Sequence, residues 1–448
     1  MPQRQTASAG REAIEPRWRR AAVVYWSYMA PHPRAELPGL FLGLQQEIAA
    51  IAAAPMVRSA FADFVSEEVR IADWQLQLAR IPAPPFGEQV RGQWLFERFL
   101  DIGLKEVHRD EVGNVFGVWP GVTDNSVALS AHMDTVFPLG TPLNFRQHGA
   151  KLYGPGVSDN GAGLAALLAI AAALARLRVQ TTDSLLFIAN VGEEGEGDLR
   201  GMRQIFSHRH WLNTIAYHVV LDGAGNDTIV AEALGSRRFE VLVRGPGGHS
   251  WSDFGAPNPI VVLARAVARF VEVPLPTAPK TTFNIGVIRG GTSVNSIPES
   301  ASMRVDLRST STAEIDGLAE ALRLALKQAV EEELRAVEVR ASTHKRKGDL
   351  STEMMVIGNR PGGELPAGAR ILEVIRAVDA YLGNVAQVQR ASTDANIPLS
   401  LGREAVAIGG GGSGGGAHTL QEWFDATGRD LGLRRILLLV LALAGVRQ

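Results

Sequence analysis

Apolar positions recur along this chain at two periods, and the changes of period divide it. Residues 37–54, 56–78 and 89–100 repeat their apolar positions at helical spacing. Pro82, Pro84 and Pro85 stop the second helix, and Gly103 stops the third. Residues 106–118 alternate and turn at Gly113-Asn114, which predicts a hairpin. A buried strand over 127–130 follows, then a very apolar helix over 164–177. Further strands cover 184–190 and 219–221. Strand, helix, strand is the α/β pattern, whose sites lie off the carboxyl ends of the strands.

From residue 235 the pattern changes. It predicts a strand over 238–244, a helix over 257–271, alternating strands over 281–288 and 301–309, a helix over 312–333 and a last strand over 337–341. That order, β-α-β-β-α-β, is the ferredoxin-like split pattern. The expected fold is therefore a mixed-sheet α/β domain with an inserted ferredoxin-like unit. Residues 1–57 form an N-terminal extension, 58–233 the first part of the α/β domain, 234–345 the insertion and 346–448 the second part. Residues 343–366 read as the return linker, followed by a helix over 369–382 and strand-like stretches at 386–388 and 405–408. The glycine run 409–416, broken only by Ser413, precedes His418. Glycine there is expected to let the backbone approach a substrate or metal closely.

Composition narrows the chemistry. At 448 residues the chain exceeds an ordinary domain of ~100–200 residues. Its net charge of −2 gives no basis for nucleic acid or an anionic membrane as partner. It has no cysteine, which removes disulfides, thiolate zinc sites and cysteine nucleophiles. Any metal must be held by histidine and carboxylates. No apolar run approaches the ~20 residues of a membrane span. Arg17, Arg19 and Arg20 before the apolar run 21–30 loosely resemble a secretory signal. Tyr25, Trp26, Ser27 and Tyr28 interrupt that run, and no small-x-small cleavage site follows. A cytoplasmic protein is the expectation, with secretion left open.

Several acidic and histidine positions fall where strands or helices end. His132 and Asp134, two apart after the 127–130 strand, point the same way if extended. Asp159 sits in the glycine-rich turn 154–163, where taken alone it reads first as a helix cap. That turn lacks the Gly-Lys-Ser/Thr of a phosphate loop. Glu193 and Glu194 follow the 184–190 strand, where a solvated loop is the alternative. Asp222 follows the 219–221 strand, and His418 follows the glycine run. Two imidazoles and three carboxylates without sulfur suit a two-metal site in which one carboxylate is shared by ions ~3.5–4 Å apart. In the Glu-Glu pair, one side chain can ligate while the other takes a proton.

As an ordered set, these motifs resemble the M20 family of metallopeptidases and amidohydrolases, which includes peptidase T, glutamate carboxypeptidase, aminoacylases and succinyl-diaminopimelate desuccinylases. The matching stretches are Ser130-Ala131-His132-Met133-Asp134-Thr135, the turn around Asp159, Gly192-Glu193-Glu194-Gly195, Leu221-Asp222-Gly223, Gly247-Gly248-His249-Ser250 and Ala417-His418. The resemblance runs over about residues 60–445. It implies that His132, Asp159 and Asp222 hold one divalent ion, and that Asp159, Glu194 and His418 hold the other. Asp134 would orient His132, Glu193 would be the general base, and the peptide bond after Asp159 would be cis. His249, alternatively a surface turn, would polarise the scissile carbonyl, in many members across a dimer interface. Asn295 and Arg308 would bind a substrate carboxylate, unless Arg308 is taken up by an acidic neighbour. The implied cofactors are two zinc ions, with cobalt or manganese as alternatives. The implied substrate is a small peptide or an N-acyl amino acid, and the implied assembly a homodimer through the inserted unit. A non-catalytic binding protein on the same fold would have lost a ligand or the base, and none is missing.

Overall fold

A computed structural model describes residues 38–340, 348–366 and 368–447. The basic and apolar stretch at 17–30 lies outside them. Residues 43–448 form one unit, and everything below concerns that unit. Among the described residues, no single helix is long and apolar enough to cross a membrane.

The centre is a mixed sheet. Four of its strands run parallel and side by side: Ser184–Asn190, Ser126–His132, Ile215–Leu221 and Glu404–Ile408. They are short, apolar and buried throughout most of their length, as parallel strands covered on both faces must be. On one face Ala128, Leu186 and Ile188 pack under Met202, Ile205 and Phe206 of the helix Arg200–Ser207. The helices Gly161–Leu177 and Arg429–Ala444, buried almost all round, also pack on this sheet. The hairpin Lys105–Arg109 and Val115–Trp119 extends one edge antiparallel. Asp110 shapes its turn by accepting the backbone N–H groups of Val112, Gly113 and Asn114. Because the four parallel strands share one direction, their carboxyl ends deliver His132, Asp222, the Glu193-Glu194 loop and the glycine run to one edge.

A second sheet is antiparallel, in the order Thr282–Gly290, Ser300–Ser309, Gly235–Arg244, Ser351–Arg360. One face packs Val241, Val243, Met303 and Val305 against the helices Pro259–Phe270 and Thr312–Arg340. The other face is polar, bearing Arg238, Arg304, Asp306 and Arg308. The split order expected from the sequence holds, but the final strand does not lie at 337–341. Residues there continue the helix to Arg340, because Glu333 and Val337 lie four apart on its buried face; Ala341 is outside the described residues. The fourth strand is Ser351–Arg360, inside the stretch read as a linker, so this sheet draws on residues beyond the expected boundary at 345. Its mostly exposed, irregular pattern hid it. The predicted 56–78 helix is likewise two helices, Pro55–Ser66 and Glu68–Arg80.

A third, small sheet joins Ser413–Gly415, Trp423–Asp425, Lys151–Tyr153 and Arg146–His148. It ties the segment holding His418 to the segment entering the Asp159 turn, more than 250 residues away in sequence.

Candidate metal centre

Asp159 lies between two histidines. Its Oδ1 is 3.1 Å from His132 Nε2, and its Oδ2 is 3.0 Å from His418 Nε2. His132 Nε2 is also 3.7 Å from Asp222 Oδ1, and His418 Nε2 is 3.0 Å from Glu194 Oε1. Two trios therefore share one carboxylate: His132, Asp159 and Asp222, and Asp159, Glu194 and His418. Ligand atoms around a tetrahedral ion with bonds of 2.0–2.1 Å lie about 3.3 Å apart, and the histidine-to-carboxylate distances in the two trios, 3.0–3.7 Å, bracket that value. The donor set is nitrogen and oxygen only, the set that takes zinc, cobalt or manganese. By spacing and by chemistry, these residues fit two divalent ions.

Each of the five is placed by its backbone. His132 Nδ1 donates to the main-chain carbonyl of Asp134 at 3.1 Å. A carbonyl can only accept, so Nδ1 carries a proton, which would leave the Nε2 lone pair for an ion held beside Asp159. The peptide between Asp159 and Asn160 is cis, as the resemblance implied. Asn160, not Asp159, caps the following helix: its Oδ1 accepts the Gly163 N–H at 3.1 Å. The same oxygen accepts the Gly223 N–H, and its Nδ2 donates to the Leu221 carbonyl, which fastens the turn to the strand end bearing Asp222. His418 sits at a hairpin tip with a left-handed φ of 66°. The glycines before it serve packing more than ligand access. A Cβ on Gly410 would stand 2.6 Å from the Ala162 carbonyl oxygen, at the start of the buried helix.

Asp134 has a second task beside the expected contact with His132. Its carboxylate is 3.6 Å from His132 Nδ1, and it also accepts the backbone N–H of Glu193 at 3.0 Å and of Glu194 at 2.7 Å. It is buried, and although burial alone would raise its pKa, His132 and those two N–H groups hold it below the usual value.

Electrostatics follow from crowding. In the metal-free chain, burial works against a charge on His132, but Asp134, Asp159 and Asp222 outweigh it and raise its pKa well above the ordinary value. Hydrogen bonds to Asp159 and Glu194 push His418 up to about 10. Protonation of these two histidines and metal binding would therefore compete for the same nitrogens. Burial drives Glu193 well above the usual carboxylate range, against the pull of the Arg360 guanidinium.

Two supporting residues carried no signal in the sequence. Arg360 Nη1 lies 2.8 Å from Glu193 Oε1, and its Nη2 donates to the Glu193 carbonyl. Glu422 is fully buried and accepts three backbone N–H groups of the metal turn, from Gly156, Ser158 and Asp159, each at 2.7 Å. Each makes its contact across more than 150 residues of sequence, so no local motif marks it.

The centre opens into a cleft of about 400 Å³ lined by Asp159, Glu193, Glu194, Asp222 and His418 together with Arg238, Arg308 and Arg360. Arg308 is in the cleft, but its Nε is engaged by Asp306 at 2.6 Å. His249 and Asn295 are exposed and are not among the residues lining it. They lie on or beside a separate two-stranded ribbon, Gly248–His249 with Ser296–Ile297. That ribbon continues the far end of the antiparallel sheet. Ser236, paired with Arg308 and Arg360, and Arg244, paired with Ser300, are eight residues apart on one strand, or about 26 Å.

Comparison with known proteins gives the family. The sequence model of Peptidase family M20/M25/M40 matches residues 128–442, and the chain belongs to that family of hydrolases. A probable carboxypeptidase of Aspergillus clavatus is 32% identical over 204 residues, covering 41% of this chain and 44% of the relative. Carboxypeptidase G2 of Pseudomonas sp. is 25% identical over 231 residues, covering 50% and 55%. The chain thus aligns with about half the length of these curated relatives. Among solved structures, the aminopeptidase PepT of Bacillus cereus superposes with a TM-score of 0.66 at 21% identity, covering 84% of this chain and 98% of that one. The di-peptidase Dug1p of Saccharomyces cerevisiae gives 0.66 at 12% identity, covering 87% and 99%. At such identities these superpositions speak for the mixed α/β fold alone.

Proposed function

We propose that this protein is a dinuclear-metal-dependent hydrolase of the amide bond in small peptides. The carrying observation is that His132 and His418 address opposite oxygens of Asp159, as a carboxylate bridging two ions requires. His132 and Asp222 complete one ion's ligands, and Glu194 and His418 the other's.

Two divalent ions in these positions would polarise the scissile carbonyl and acidify the attacking water. Glu193 takes that water's proton and returns it to the leaving nitrogen. Burial, which raises its pKa, favours its holding that proton until the nitrogen leaves. Arg360 fixes the Glu193 carboxylate by one oxygen and leaves the other for the proton. Arg238 and Arg308 share the single carboxylate of Asp306, which leaves one positive charge of that pair for a substrate carboxylate.

His249 enters this reading only from a second copy of the chain, since on its own chain it stands at the far end of the sheet. Trp251 beside it is 85% exposed, and Val294 is fully exposed. Large apolar groups in such a position favour burial in a homodimer.

The test is the protein loaded with zinc, cobalt or manganese and offered di- and tripeptides and N-acyl amino acids. Metal-dependent release of free amine from peptides is expected. Hydrolysis of the N-acyl amino acids alone would move the assignment to a deacylase, and no hydrolysis in any arm would overturn it.

A further inference from the structure

The cleft does not end at the metal centre. Past Gly195 and Arg238, which it shares with the catalytic end, it continues as a second hollow of about 590 Å³ along the polar face of the antiparallel sheet. Its walls include Phe86, Ile357, Asn284 and Arg304. Arg304 and Glu196 lie 3.8 Å apart, and Asp306 sits between Arg238 and Arg308, so the charges lining the hollow are answered within the wall. The unanswered surface is apolar. Phe86 is 61% exposed and Ile357 37%.

Phe86 is held there. Its backbone takes a left-handed φ of 69°, a costly conformation for a bulky side chain. The turn is closed by the Gly87 N–H to the Pro84 carbonyl at 2.8 Å. Beneath the ring lies the Arg200 guanidinium, 4.9 Å from its centroid. Arg200 is itself fixed, donating to the Val112 carbonyl at 2.8 Å and to Glu88 at 2.6 Å. An exposed aromatic ring kept in a strained turn by a pinned cation is a preorganised platform, not a solvated loop residue.

Resting on the amide-hydrolase reading above, we propose that Phe86 and Ile357 form a specificity subsite for a bulky aromatic or aliphatic side chain of the substrate, on the part that extends past Gly195. Phe86 offers its free face for stacking and Ile357 offers apolar contact. Stacking together with burial of one aromatic side chain corresponds to about a tenfold gain in affinity or more.

The experiment compares Ala-Ala, Phe-Ala and Ala-Phe. Binding is measured by calorimetry on zinc-loaded Glu193→Gln protein, and kcat/KM on zinc-loaded protein with Glu193 intact. One of the two phenylalanine dipeptides is expected to bind at least tenfold more tightly than Ala-Ala. Adding Phe86→Ala should remove that preference, in binding and in kcat/KM alike. Ile357→Ala should reduce it and Phe86→Trp should keep it. No preference in the parent, or a preference that survives both alanine substitutions, overturns the subsite. Absence of turnover of all three dipeptides would instead count against the hydrolase reading, while the binding comparison still decides the subsite.

Discussion

Asp134 holds Glu194 by its main chain: the carboxylate receives the Glu194 N–H at 2.7 Å, and the Glu193 N–H at 3.0 Å. One buried side chain thereby fixes the strand end bearing His132 to the loop bearing the candidate base and a candidate ligand. Asparagine at this position keeps one acceptor oxygen but turns an NH₂ toward one of those N–H groups. Asp134→Asn should weaken metal affinity by about 10–100-fold and lower kcat, while both ion positions still fill at saturating metal. Competition with a calibrated chelator measures the first effect and steady-state kinetics the second. Unchanged affinity would mean that the loop is fixed elsewhere.

Glu193 is not among the residues placed to share an ion with Asp159, and its carboxylate is held by Arg360. Glutamine preserves the size and the Arg360 contact through its oxygen but cannot take a proton. Glu193→Gln should cut kcat roughly 10²–10⁴-fold with two ions retained per chain by elemental analysis. Near-normal turnover would reassign the base.

Of the two trios that meet at Asp159, His132 and Asp222 belong to one only. His132→Ala should therefore leave a chain that retains one ion, held by Asp159, Glu194 and His418. Metal-to-protein ratios after gel filtration read this directly. A ratio still near two would show that the trios are not independent.

How much of this was legible beforehand depended on the distance over which each signal acts. His132, Asp159, Glu194 and Asp222 each follow an apolar strand or open a helix, so local pattern placed all of them at one sheet edge. The contact of Asp134 with His132 was legible, but the Glu193 and Glu194 N–H groups it also receives were not, because they lie some sixty residues on. Arg360 and Glu422 were silent for the same reason. The strand Ser351–Arg360 was missed because, at the edge of its sheet, seven of its ten residues are exposed and no alternation marks a buried face. Val337 and Val339 misled in the opposite direction, since β-branched residues near a helix end resemble a short strand.

Glu422 takes three N–H groups of the turn that presents Asp159. Gln at this position must aim its own N–H bonds at Gly156 or at the Ser158 and Asp159 pair. Glu422→Gln should loosen the shared ligand, so both ions should bind more weakly, by about 10–100-fold. Loss confined to one ion would place the effect on a single trio.

The metal-free protein should respond to pH through its histidines. His418 titrates ordinarily at 6.5 and is pushed up to about 10 by its hydrogen bonds to Asp159 and Glu194. A group raised in the folded state binds its proton more tightly there than in the unfolded chain. Its stabilisation is complete below 6.5 and is lost as pH climbs through the folded value. His132 is raised in the same direction. The melting temperature of chelator-treated protein should therefore fall between pH 7 and pH 10, and His418→Ala should flatten that fall. Because any ion must displace these protons, adding zinc at pH 7 to weakly buffered protein should release protons, and metal affinity should rise with pH. Zinc uptake without proton release would contradict the protonated, carboxylate-bound state of His132 and His418.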